Sequence, residues 1–305
     1  MEITKKLMKG LREPKKFVTF MLRNFGAFIP DKQYLKLLYR VQMGCKLNLD
    51  DPKTFNEKLQ WLKLYGYRSE YTVMVDKVHA KEYAAKIIGS QYIIPTLGVW
   101  DSPDDIDFDS LPDKFVLKCN HNSGGVIICQ NKSELDIPRV KRKLRNGLKE
   151  DYYKLYRERP YKDVKRKILA ELLIDDVSGE GLTDYKLMCF GGKVYCTFVC
   201  SERFCSDGVK ITAYDRDWKR MTIERLAHPT SKHDIPKPKL YEKMIVLAEM
   251  LALDTPFIRI DFYEVGEKLY FGEMTLYPAT GMERFKQDEW DVHLGNLLVL
   301  PSFDS

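Results

Sequence analysis

The stretch from Pro256 to Thr275, PFIRIDFYEVGEKLYFGEMT, constrains this chain more than any other. Two runs rich in Ile, Phe and Tyr flank Gly266-Glu267-Lys268, a pattern that predicts a β-hairpin. With those three residues as the loop, Val265 pairs with Leu269. Counting outward sets Asp261 opposite Glu273 and Arg259 opposite Thr275. Period-two alternation then gives a core face of Ile258, Ile260, Phe262, Met274 and Leu276, and a second face of Arg259, Asp261, Tyr263, Phe271, Glu273 and Thr275. Carboxylates directly across a strand pair stand roughly 5 Å apart at Cβ and repel. Asp261 and Glu273 therefore call for a cation, a shared proton or full solvation between them. Read on these residues alone, a divalent metal and an exposed polar face both remain open.

A chain of 305 residues with 44% hydrophobic content can bury a sizeable core, as two subdomains around a cleft or as one domain with an N-terminal appendage. A formal charge of +6, with 31% charged residues of both signs, describes an ordinary surface with a basic bias. No apolar run approaches the roughly 20 residues of a membrane span. Lys5, Lys6, Lys9, Arg12, Lys15 and Lys16 interrupt any signal-peptide core, and seven cysteines without paired spacing argue for a reducing, cytoplasmic setting. Cys196, Cys200 and Cys205 lack the spacing of a zinc site and are expected to be small buried side chains.

Residues 1–28 mix Leu, Phe and Met with Lys and Arg, as in a basic amphipathic helix that lies on an anionic membrane face or packs on the protein body. A helical prelude follows, with a capping box at Thr54-Phe-Asn-Glu57. A helix is expected over 76–88, stopped by Gly89. The strand Phe115–Cys119, carrying Lys118, runs into Asn120-His-Asn-Ser-Gly-Gly125 and a second strand at 126–129. Strand, glycine loop, strand suits an anion cradle as well as a tight hairpin. Between Arg139 and Lys167, thirteen Lys or Arg meet four acids with tyrosines interleaved. A solvated helix face or a lip for an anionic substrate explains this without nucleic acid, for which no motif is present. The strand over 167–174 contains Glu171, a turn follows at 175–181, and 183–199 reads as a meander in which Asp184 and Lys186 share a face, open to a simple surface ion pair as well as to a role in a site. Asp215-Arg-Asp217 matches the metal motif of glycosyltransferases and also an ordinary Asx turn.

Taken in order, PKTFNEKLQWLKLY, FVLKCNHNSGG, DYKLMCFGGKV, RIDFY and FGEMT resemble the TupA-like family of the ATP-grasp superfamily, over nearly the whole span from Lys53 to Trp290. The resemblance implies an α+β ATP-grasp fold in which two α+β subdomains clasp ATP behind a helical extension. The expected boundaries are 1–72 for the helical region, 73–170 for the first subdomain and 171–305 for the second. It implies phosphate contacts from Lys77 and Lys118, and a closing loop at Ser123-Gly124-Gly125. Adenine would meet Glu171 and the backbone near Ile174, and the ribose would meet Asp184. Lys186 and Arg259 would act at the transferred phosphoryl group, and Asp261 and Glu273 would hold Mg2+. Thr275 stands where the superfamily usually has Asn, and a hydroxyl is a poorer fixed metal ligand than an amide carbonyl. The activity implied is an ATP-dependent carboxylate–amine ligase. Its partners would be a carboxylate-bearing saccharide or amino acid and an amine, in polysaccharide or capsule biosynthesis at the inner face of the membrane. A sugar kinase using the same ATP site, a glycosyltransferase using Asp215 and Asp217, and a membrane-bound scaffold remain as alternatives.

Overall fold

A computed structural model describes residues 14–174, 181–202 and 208–302. The expected turn at 175–181 falls largely, and Cys205 and the first thirteen residues fall wholly, outside the described residues. Helices α1 (Pro14–Phe25), α2 (Asp31–Met43), α3 (Phe55–Tyr65), α4 (Glu70–Val75) and α5 (His79–Ile88) precede β1 (Thr96–Trp100), β2 (Phe115–Cys119) and β3 (Ile127–Cys129). Next come α6 (Ile137–Lys149), α7 (Tyr152–Tyr156), β4 (Ile168–Leu172), β5 (Asp184–Phe190), β6 (Lys193–Ser201) and β7 (Lys210–Asp215). The chain closes with α8 (Tyr241–Ala252), β8 (Phe257–Val265), β9 (Lys268–Thr275) and α9 (Glu289–Leu297). Two antiparallel sheets result, ordered β1-β4-β2-β3 and β7-β6-β5-β8-β9, so the fold is α+β. β4, with Glu171 and Leu172, pairs with both β1 and β2 and so belongs to the smaller sheet.

The hairpin differs from its expected form at its loop and within β9. Its loop is only Gly266-Glu267, because Val265 pairs with Lys268 rather than Leu269. A bulge at Gly272 then sets two residues of β9 against one of β8 and restores Asp261 opposite Glu273 and Arg259 opposite Thr275. A Cβ at position 272 would stand 3.1 Å from the Asp261 carbonyl oxygen and 3.0 Å from the Tyr263 ring, so glycine suits the bulge. The shift also carries Phe271 into the core, against Phe262, rather than onto the polar face.

Helix α3 ties the helical prelude to the site. Its capping box forms as expected, with the Thr54 hydroxyl accepting from the Glu57 amide while the Glu57 carboxylate accepts from the Thr54 amide. Asn56 Nδ2 donates to the Glu283 carbonyl at 2.7 Å, and the Glu283 amide donates back to Asn56 Oδ1 at 2.8 Å. Gln60 Nε2 donates to the carbonyls of Thr280 and Gly281. Lys63, wholly buried, donates to the carbonyls of Thr280 and Tyr156 and lies 3.7 Å from Glu158. Burial drives this pair toward neutrality, lowering the Lys63 ammonium to about 8 and raising the Glu158 carboxyl to about 7, against their mutual attraction.

Tyr152 packs on Tyr156 and Tyr161, and Tyr153 donates to Asp31. Helix α1 rests on the body through Leu22, against Tyr34 and Leu38, and leaves Phe20, Met21 and Phe25 exposed. No helix among the described residues is long and apolar enough to cross a membrane.

Removing one member of a buried ion pair costs roughly 3–5 kcal/mol, because the other charge is stranded. Lys63→Met is expected to lose unfolding free energy in urea at pH 8, because the buried Glu158 then has no cationic partner to offset its desolvation. Adding Glu158→Gln should recover part of the loss. A double variant no more stable than Lys63→Met would show that Glu158 is not a stranded charge.

Candidate active site

Three adjacent strands, β5, β8 and β9, build the polar face. Their pairing aligns Lys186, Asp261 and Glu273 in one row across the sheet, and Met188, Arg259 and Thr275 in the next. Arg259 turns back over the first row. Its Nε and Nη2 donate to Asp261 at 2.6 and 2.7 Å, and Nη2 also donates to Glu273 at 2.8 Å. The repulsion between facing acids is thus met by a shared guanidinium. Lys186 contacts Asp261 and Asp184, each at 2.5 Å. Of the two readings open for Asp184 and Lys186, the surface pair is excluded, because β5 is an interior strand and its face is covered; Asp184 retains 4% of its surface.

The second group comes from the smaller sheet and the α4–α5 junction. Glu171 accepts from Lys118 at 2.5 Å and from Lys81 at 2.7 Å, and all three side chains are largely buried. The helix expected over 76–88 starts only at His79, because Asp76 folds back, accepting from the Val78 amide and Asn120 Nδ2. The Lys77 amide donates to the Asn120 carbonyl, and its Nζ donates to the Asn122 carbonyl at 2.6 Å. The junction is therefore laced to the loop after β2. Beyond Asn122 the chain turns outward. Ser123, Gly124 and Gly125 are exposed, with φ of 89° and 69° at the glycines, a left-handed backbone that residues with a Cβ rarely adopt.

Charge links the two groups. Burial pushes the Glu273 carboxyl up, but Lys77, Arg259, Lys186 and Lys118 outweigh it and hold it at about 2. Its side chain keeps 38% of its surface, so water screens part of that attraction. Asp261 moves the other way, raised by burial against Arg259 and Lys186. Lys77 is lowered, chiefly by burial. Lys186 is raised, since Asp261 and Asp184 override burial and Arg259. Lys77 and Glu273 line one small cavity with Tyr161 and Gly272.

The structure thus gathers Asp184, Lys186, Arg259, Asp261, Glu273 and Thr275 on one face, with Lys77 beside them and Lys118 and Glu171 within electrostatic reach. Ile174 is not among them. It lines a broad open pocket of about 820 Å³ with Tyr92, Pro95, Leu173, Leu240 and Val265. Lys81 was not anticipated, although it lies one helical turn beyond Lys77, a spacing that puts both on the same side of a helix. Asp215 behaves as an Asx turn, with Oδ1 accepting from the amides of Asp217 and Lys219, and Arg216 pairs with Glu249. Cys196 and Cys200 are buried as expected, and no cluster of three metal-ligating residues occurs among the described residues.

The depressed Glu273 carboxyl contributes stability that is fully present above the ordinary carboxylate range, near 4.5, and is lost as pH falls toward about 2. Urea unfolding between pH 3 and 5 should show stability rising with pH, with a smaller slope in Glu273→Gln. An unchanged slope would contradict the assigned electrostatics.

Among curated proteins none matches the chain. Solved structures with similar folds include D-alanine–D-alanine ligase from Bacillus anthracis complexed with ATP, at 16% identity over 67% of this chain and 54% of that one, with a TM-score of 0.39. D-Alanine–D-alanine ligase from Helicobacter pylori gives 14% identity over 80% and 69%, with a TM-score of 0.40. The ATP-grasp ligase PsnB complexed with minimal precursor, Mg and ADP gives 9% over 72% and 57%, with a TM-score of 0.37. The chain spans only about half the length of the first of these, and such remote likenesses assign no residue a role. The sequence pattern of the TupA-like ATPgrasp family matches residues 57–299, and the chain belongs to that family.

Proposed function

We propose that the chain is an ATP-dependent carboxylate–amine ligase. The observation that carries this reading is the row Lys186–Asp261–Glu273 under Arg259, facing Lys77 and Lys118, on a chain of the TupA-like ATP-grasp family. Phosphoryl transfer needs positioning and positive charge more than covalent help from the protein. Lys77 and Lys118 hold the phosphates of ATP, with Ser123-Gly124-Gly125 closing over them. Glu171 and the Ile174 backbone meet the adenine, and Asp184 meets the ribose.

The residues fit magnesium. Arg259 Nη2 lies 2.7 Å from Asp261 and 2.8 Å from Glu273, so the two carboxylates already converge on one cationic centre. Their donors are all oxygen, the set that Mg2+ prefers. Thr275 Oγ1, 3.3 Å from Glu273 Oε1, is the candidate third donor. When bound, magnesium supplies charge neutralisation at the phosphates. Arg259 and Lys186 orient the transferring group. An acceptor carboxylate oxygen attacks the γ-phosphorus, the bond to the ADP oxygen breaks, and an acyl phosphate forms. An amine nitrogen then attacks the acyl carbon, expels phosphate, gives up its proton and leaves an amide.

The acceptors in this reading are a uronic acid or amino-acid carboxylate on a surface polysaccharide or capsule precursor and a partner amine, used at the cytoplasmic face of the membrane. The exposed Phe20, Met21, Phe25 and Phe28, with the basic residues of the N-terminal stretch, support contact with anionic lipid there. Sedimentation with anionic vesicles should fall with salt and with Phe25→Glu plus Phe28→Glu; salt-independent binding that survives both changes would contradict that contact.

Purified protein should release ADP only with a carboxylate present, and hydroxylamine should trap an acyl hydroxamate. Asp261→Asn should reduce turnover by at least about a hundredfold, as expected for loss of a metal-holding carboxylate. A phosphorylated hydroxyl with no amide or hydroxamate would replace the ligase with a kinase.

A further inference from the structure

On the other side of Arg259 from Lys77 lies a charged pair that the nucleotide site does not use. The sheet order sets the direction, with Glu273 and Lys77 at the β9 edge and Phe198 of β6 beyond β5. Here Arg259 and Lys186 line a cavity with Phe198, Arg225, Glu283 and Phe285. Arg225 is paired with Glu283 through one terminal nitrogen. Its Nε is buried and meets no partner among the described residues.

Both members are held from behind. The segment around Arg225 is laced to Phe285, with the Leu226 amide donating to the Arg284 carbonyl at 2.7 Å and the Lys286 amide to the Glu224 carbonyl at 2.9 Å. Asn56 fixes the Glu283 backbone through both its amide and its carbonyl. The pair is thus aimed by the fold. A guanidinium is a fork that matches a carboxylate with two parallel N–H donors, and a buried donor left unmet is unfavourable. Burial and the neighbouring Arg259 lower the Arg225 guanidinium to about 10, although Glu283 pairs with it. The cavity holds about 20 Å³, room for roughly one water, so it admits the end of an anionic group and not a whole sugar or amino acid.

We propose that Arg225 is a specificity-determining residue that anchors a carboxylate of the acceptor beside Arg259, with Glu283 orienting it. The proposal rests on the ligase reading. The carboxylate has two possible owners: it is the group that becomes phosphorylated, or it belongs to an amino acid that supplies the amine. Apolar walls from Phe55, Met188, Phe198, Pro278 and Phe285 exclude water from it in either case.

The test uses the full chain loaded with magnesium and a non-hydrolysable ATP analogue, and ligand-detected NMR with acetate, glucuronate, D-alanine and L-glutamate, plus glucose as an uncharged control. At least one carboxylate should bind and glucose should not. Arg225→Gln should weaken that binding by at least about tenfold, the loss expected for a hydrogen bond to a charged group. Arg225→Lys, which keeps the charge and loses the fork, should weaken it as well. Nucleotide affinity, measured by calorimetry, should stay within about twofold in both variants and reports that they are folded. With ATP and hydroxylamine, a hydroxamate of the bound carboxylate assigns it as the activated group. Its absence, with a hydroxamate of another acid, assigns it to the amine substrate. Equal carboxylate binding in the wild type and Arg225→Gln would overturn the proposal. So would a nucleotide-loaded protein that binds no carboxylate. A wild type that fails to bind nucleotide would sink the ligase reading itself, and this proposal with it.

Discussion

One guanidinium between two facing carboxylates organises the site. Asp261 and Glu273 stand across a strand pair, where like charges destabilise a sheet, and Arg259 spans them from the next row with three hydrogen bonds. Asp261 does not tolerate this position unaided, since it is almost fully buried and an isolated buried charge is costly. Lys186 from β5 shares the load at Asp261, and Lys77 and Lys118 lower Glu273 from outside the larger sheet. The hairpin is therefore viable only when other parts of the chain bring positive charge to it. In the proposed function, the same charges suit the face to an oxygen-loving cation and to phosphates.

The helical prelude, which looks peripheral in sequence, holds this arrangement in place. Helix α3 pins the segment after β9 through Asn56, Gln60 and Lys63, and the α4–α5 junction fixes Lys77 against the loop after β2. The side chains to which the proposed function gives ATP on one side and an acceptor on the other are thus set on strands and braced by helices. Ser123, Gly124 and Gly125 remain exposed, with a backbone that glycine tolerates at no steric cost.

The α+β class, the antiparallel meander and the pairing of Asp261 with Glu273 were legible in the sequence, because strand alternation and local turn signals carry them. The two-residue loop and the Gly272 bulge were not. Each shifts the register by one residue, and their effects cancel at the acids and persist at Phe271. Lys118 stood out at a strand end, whereas Lys81 reads as one more surface lysine until Glu171 is brought to it from 90 residues away. Arg225 and Glu283 lie in irregular segments 58 residues apart, where no periodicity marks an inward-facing side chain. The surface reading of Asp184 and Lys186 failed because alternation gives a strand's face but not whether that face is covered.

In the proposed ligase, Asp261 and Glu273 serve a metal–nucleotide complex rather than only neutralising Arg259. Electron paramagnetic resonance of Mn2+, a spectroscopic stand-in for Mg2+, measures this directly. In the presence of ATP the wild-type protein should remove Mn2+ from solution with a nucleotide-dependent affinity, and Asp261→Asn with Glu273→Gln should abolish it while the protein stays folded. Identical Mn2+–ATP binding in the wild type and the double variant would contradict the account.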